Sequence, residues 1–218
     1  MRWLIVLAMS LGVLGTIGLA ATTGGQSASS PTEFQVAFSD FTPETVRAFS
    51  DFPLYSVGLR FDGLLLTRIT RTLRKPDLLD VGEAAPELPD NRTNYVNFIY
   101  GTCDSRASEG GCAPPLTIQV WPACDNSLAD FYYNTRDGGP SRDYKLDTVR
   151  GVPAARFAGG MLHVYAGRVT IVIFGDSDEL RTRAAQHLVA ANSRAGAITS
   201  DDPLPAPIDG AMQGKLAC

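Results

Sequence analysis

Two stretches decide how this 218-residue chain is read. The first is VNFIYG (Val96–Gly101) followed by LTIQVWP (Leu116–Pro122). The second is LHVYAG (Leu162–Gly167) followed by VTIVIFG (Val169–Gly175). Each is a pair of short runs rich in β-branched and aromatic residues, bounded by turn residues, which predicts two strands. Each pair then meets helix-start residues. Asp125-Asn126-Ser127 precede Leu128, Phe131 and Tyr132 at helical spacing. Asp176-Ser177 precede a stripe of Leu180, Ala184, His187, Leu188 and Ala191, with Glu179 placed for a capping box. The second pair is joined tightly, whereas the first carries the extra segment Thr102–Pro115. The fold class read from this is α+β: a mainly antiparallel sheet with a few helices on one face. The repetition has two readings, two related β-β-α units sharing one sheet or two unrelated hairpin-helix units of a common kind.

The flanking sequence supplies the other elements. Thr42-Pro43-Glu44 reads as a helix start running to about Ser50. Leu54–Phe61 reads as one strand, turned by Asp62-Gly63 into a second over Leu65–Leu73. Residues 75–94 hold Pro76, Pro86 and Pro89 and read as loop. Further strands are expected over Tyr144–Val149 and Pro153–Phe157.

The N-terminus sets the expected compartment. Arg2 is the only charge before Glu33, and an apolar stretch runs from Leu4 to Ala21. Residues 1–21 therefore read as a secretory signal peptide or an uncleaved membrane anchor, outside the fold. Residues 22–32, TTGGQSASSPT, read as a flexible linker. Residues 33–199 read as a single α+β extracytoplasmic domain, secreted or held at the membrane by residues 4–21. Residues 200–218 are proline-rich and end in Cys218.

Composition narrows the partners. Charged residues are 19% and hydrophobic residues 44% of the chain, so a packed core is expected and intrinsic disorder is not. The net charge of −4, with no basic run, gives no footprint for nucleic acid. The expected partner is an unknown ligand or an envelope protein, with membrane contact through the N-terminal segment if it is retained.

Four cysteines in an exported chain point to disulfides. Cys103 and Cys112 flank a glycine-rich loop between two strands, so local closure pairs them. Cys124 is left for Cys218, and that bridge would tie back the tail. On the loop-entropy account the short bridge is worth about 3 kcal/mol and the long one nearly 5. Zinc is disfavoured, because no Cys-x-x-Cys pair exists and only His163 and His187 could add nitrogen. No cofactor motif is present, and Asp176 with Asp178 or Asp201 with Asp202 is too few ligands for calcium.

One stretch has a catalytic resemblance. IVIFGDS (Ile171–Ser177) resembles the first block of the GDSL (SGNH) esterase family, in which a strand ends in Gly-Asp-Ser and the serine attacks an ester. The resemblance implies Ser177 as nucleophile, at a helix N-terminus that could supply amide donors to an oxyanion. It covers seven residues, the later blocks of that family are absent, and 41 residues follow Ser177. The competing reading is a helix cap. Three function classes result: non-enzymatic binding or interaction at the envelope, which leads; an esterase-type hydrolase using Ser177; and a carrier of an apolar ligand. The series Phe34, Phe38, Phe41, Phe49, Phe52 and Tyr55 would line the carrier's cavity or, more commonly, a core.

Overall fold

The computed structural model describes residues 41–73, 92–102, 113–129 and 144–218. Residues 1–40, with the apolar run, the linker, Phe34 and Phe38, lie outside the described residues, as do Cys103, Cys112, Phe131 and Tyr132. The described residues all fall within one compact unit. Among them, no helix is long and apolar enough to cross a membrane.

Among the described residues the centre is an eight-stranded antiparallel sheet, accompanied by helices over Pro43–Ala48 and Asp178–Gln186 and a two-stranded ribbon. Along the chain come α1 (Pro43–Ala48), β1 (Tyr55–Ser56), β2 (Arg60–Phe61), β3 (Leu64–Leu73), β4 (Thr93–Tyr100) and β5 (Leu116–Pro122). They are followed by β6 (Tyr144–Val149), β7 (Val152–Phe157), β8 (Met161–Ala166), β9 (Val169–Gly175), α2 (Asp178–Gln186) and β10 (Val189–Ala190). The sheet order is β2-β3-β4-β5-β9-β8-β7-β6, and β1 pairs with β10 separately.

Local chemistry explains most boundaries. Thr42 caps α1 and shares a reciprocal pair of bonds with Thr45. Asp62-Gly63 and Arg150-Gly151 both have positive φ, the geometry of a two-residue hairpin turn. The single strand expected over Leu54–Phe61 is instead two, β1 and β2. Gly58, at φ 81°, breaks the extended run. The Tyr100 hydroxyl fills the gap, accepting from Val57 N at 3.1 Å and donating to Gly58 O at 3.0 Å. Burial pushes that phenol up to about 12. The helix expected to run on through Ala191 ends at Gln186, with His187 as its C-cap. Val189 and Ala190 instead pair with Ser56 and Tyr55, a use that suits a β-branched residue better than a further helical turn. Ser177 is the α2 cap, so Glu179 stands one position before the capping-box site.

The strand order is symmetrical about the β5–β9 seam, and the registers agree. Leu116, Ile118 and Val120 of β5 correspond to Val169, Ile171 and Ile173 of β9, and all six are buried in the main core. Val96, Phe98 and Tyr100 of β4 correspond likewise to Leu162, Val164 and Ala166 of β8. The ladders respect this: Val96 faces Val120 and Leu162 faces Ile173, while Gln119 faces its own counterpart, Val172. Two hydrogen bonds extend the match beyond the strands. Ala123 N donates to Arg168 O at 2.9 Å, and Asp176 N donates to Pro115 O at 3.1 Å.

The correspondence stops there. After β9 the chain enters α2, which places Ala184 and Ala185 in the main core together with Val46 of α1. After β5 it places Leu128 against a smaller cluster of Ala155, Phe157 and Tyr165 on the other sheet face.

The last residues are irregular yet held. Leu204 is buried in the main core. The Arg150 guanidinium donates to the carbonyls of Leu188, Thr199 and Asp202, and Ile208 N donates to Gly167 O at 3.0 Å. Cys124 and Cys218 are joined by a disulfide with Cα atoms 5.3 Å apart.

Candidate functional site

The residues singled out in the sequence are not gathered in one place. Ser177 Oγ accepts from Leu180 N at 3.1 Å, the ordinary work of a helix cap. His187 ends the same helix, roughly 15 Å along its axis by the rise per residue, and rests against Phe61 at 5.4 Å. His163 is fully buried on the sheet face opposite α2, 4.5 Å from the Phe157 ring. Burial lowers its pKa to about 3, so it stays neutral at physiological pH. Among the described residues, no histidine is placed to activate Ser177.

One member of each acidic pair has structural partners. Asp178 is bound by Arg181 at 2.7 Å and faces Arg156 at 3.6 Å. Those guanidiniums, Arg181 first, hold its carboxyl below the usual range. Asp202 accepts from the Thr199 amide at 2.8 Å and its hydroxyl at 2.7 Å, and its carboxyl is lowered for that reason. Phe41, Phe49, Phe52 and Tyr55 are buried, and Phe49 packs edge to face with Phe41 and Phe52, with ring centroids 5.6 Å and 4.9 Å apart.

A cavity of about 850 Å³ lies where the symmetry fails, at the end of β5. Its floor is apolar, from Phe52, Pro53, Pro122 and Leu216. Its polar lining includes Arg92, Arg168, Arg194, Asp51, Asp125 and Thr93, and the Cys124–Cys218 bridge forms one side. The size is that of a small-molecule site, and the lining is unusually rich in charge.

Separate elements build this place. Arg168 sits in the β8–β9 turn and Pro122 closes β5. Arg194 lies on a short 3₁₀ turn whose cap is Asn192. Asn192 is buried and uses all four hydrogen-bonding positions. Its carbonyl oxygen accepts from Leu54 N at 2.9 Å and Ala195 N at 3.1 Å, and its amide donates to Phe49 O and Phe52 O at 2.9 Å each. It thus fixes the wall carrying Asp51, Phe52 and Pro53. Asp51 accepts from the Thr93 hydroxyl at 3.1 Å.

Cys124, Asp125 and Cys218 offer ligand atoms within 4.8 Å of one another. Both sulfurs are committed to the bridge, so there is no thiolate to bind zinc. Sequence reasoning reached this place only through the two cysteines; Arg168 and Arg194 carried no local signal, being single arginines in a turn and near the chain's end.

No known protein family, curated protein or solved structure matches the chain.

Proposed function

We propose that this protein is a non-enzymatic binding domain of the cell envelope and that it takes its ligand in the cavity beside the Cys124–Cys218 bridge. The cavity is the observation that carries the reading. It has the volume of a ligand site, its floor is apolar, and its walls are fixed by Asn192 and by a covalent bridge. A preorganised wall favours binding because little ordering is left to be done when the ligand arrives. Export, by a signal peptide or an anchor in residues 1–21, is supported by the apolar run Leu4–Ala21 and by a bridge that persists in oxidising surroundings.

The test is a crystallographic fragment screen of the purified protein. Bound fragments should collect in this cavity. Hits confined to other surfaces would overturn the reading. Export has its own check: a reporter active only in the cytoplasm, fused after Cys218, should be silent in intact cells.

The matched registers of β4–β5 and β8–β9 support a common origin for the two sheet halves. The likeness is one of paired strands; the segments that follow them took different paths.

A further inference from the structure

We infer that the cavity selects a small organic anion, a carboxylate or phosphate head on an apolar body, and that Arg168 and Arg194 read the head. This rests on the cavity being a binding site and adds the class of ligand. The Arg168 side chain is exposed in the β8–β9 turn and makes no hydrogen bond or ion pair among the described residues. Arg194 is aimed by one contact, Nε donating to Ser50 O at 2.9 Å. That contact leaves both of its terminal nitrogens for a ligand, and it forms no ion pair among the described residues. Four other arginines are paired with carboxylates: Arg47 with Glu44, Arg156 with Asp147, Arg181 with Asp178 and Arg183 with Asp62. Two guanidiniums without carboxylate partners in the lining of one cavity suit an anion, because a guanidinium fork matches carboxylate and phosphate oxygens.

The lining also carries the carboxylates of Asp51 and Asp125. Asp51 is engaged by the Thr93 hydroxyl. Asp125 lies with Oδ1 3.1 Å from Cys218 Sγ, against the bridge. Both narrow where an anionic head can sit and disfavour a second negative group. The apolar floor of Phe52, Pro53, Pro122 and Leu216 sets the rest of the ligand.

The experiment measures binding of four shape-matched probes to the full chain, by amide shifts or calorimetry. They are benzoate, phenyl phosphate, neutral benzamide and cationic benzamidine. Benzoate or phenyl phosphate should bind at least about tenfold more tightly than benzamide, the scale of a hydrogen bond to a charged group. Whichever of the two binds more tightly distinguishes a carboxylate head from a phosphate head. Arg168→Gln and Arg194→Gln should each remove most of that preference while leaving benzamide affinity unchanged. Arg168→Gln touches no internal contact, so it reports even if Arg194→Gln loosens the Ser50 wall. Equal or tighter binding of benzamide or benzamidine would overturn the anion inference and leave the cavity as a binding site. Failure of all four probes to bind there would overturn both.

Discussion

The two ends of the central strand pair make the instructive comparison. At the end of β9, Asp176 N bonds to Pro115 O, Ser177 opens α2, and Arg181 folds back to donate to Gly175 O while pairing with Asp178. That end is closed by its own helix. At the end of β5, the matching bond from Ala123 N to Arg168 O is present. The chain then turns at Pro122–Asn126 and runs to the opposite sheet face. Among the described residues, nothing equivalent to Arg181 covers this end. The tail reaches in through Cys218 instead, and a cavity remains. One hydrogen-bonded framework thus supports a sealed end and an open one, and the open end is where ligand binding is proposed.

The sheet's second face shows the same contrast. His163 of β8 and Asn97 of β4 occupy corresponding positions. His163 is sealed beside Phe157 and Tyr165, whereas Asn97 is half-buried and donates to the Thr70 hydroxyl at 2.9 Å.

The sharpest way to break the comparison is at the bridge. Cys218→Ser frees the tail from the open end and removes a long-range crosslink. Denaturant unfolding should show a loss of nearly 5 kcal/mol, about the full worth of the long bridge on the chain-entropy account, with ligand binding lost as well. Unchanged binding would mean the tail is not a wall of the site. Next is Asn192→Ala, which orphans two buried amides and two carbonyls. A loss of roughly 3 kcal/mol is expected, since each buried unsatisfied group is costly and only some can be hydrated. A loss below 1 kcal/mol would show that the wall holds itself.

His163 gives a pH signature confined to the sealed half. Its folded pKa is depressed from 6.5 to about 3 by burial. The unfolded chain therefore binds the proton first as pH falls below 6.5. Stability is fully present above that value and declines as pH drops toward 3, by at most about 1.4 kcal/mol per pH unit. His163→Leu should flatten the curve between pH 6.5 and 4.5, above the range where the lowered carboxyls of Asp147 and Asp178 begin to contribute. A curve identical to the parent's would assign the dependence elsewhere.

Smaller effects test the equivalence itself. Arg181→Ala should cost about 1–2 kcal/mol by uncapping Gly175 O, while leaving ligand affinity at the other end intact. The double exchange Leu116→Val with Val120→Ile writes the β9 inward residues into β5. It should cost under about 1.5 kcal/mol, because volume and pattern are nearly kept. A collapse of the fold would deny that the two strands are interchangeable.

Much of the scaffold was legible in the sequence because its causes are local. Alternation in β4, β5, β8 and β9, the Asp62-Gly63 turn and the Thr42 and Ser177 hydroxyl caps each need only a few neighbouring residues. What stayed hidden depends on distant partners. The break between β1 and β2 answers to Tyr100, and β10 leaves the helix pattern to pair with β1. The candidate site was the least legible part. Its lining comes from short pieces around Phe52, Thr93, Pro122, Arg168, Arg194 and Leu216, and no spacing along the chain brings them together. The capping chemistry of Ser177, by contrast, was visible in sequence beside a catalytic resemblance that the surroundings of the residue do not complete.

Amide shift mapping with benzoate tests the central claim most directly, because it reads both ends of the β5–β9 pair in one experiment. Saturable shifts should cluster at Thr93, Ala123–Asp125, Arg168 and Arg194, with Leu116, Asp176, Asp178 and Arg181 unmoved. Shifts of equal size at the two ends, or shifts confined to the α2 end, would contradict the account.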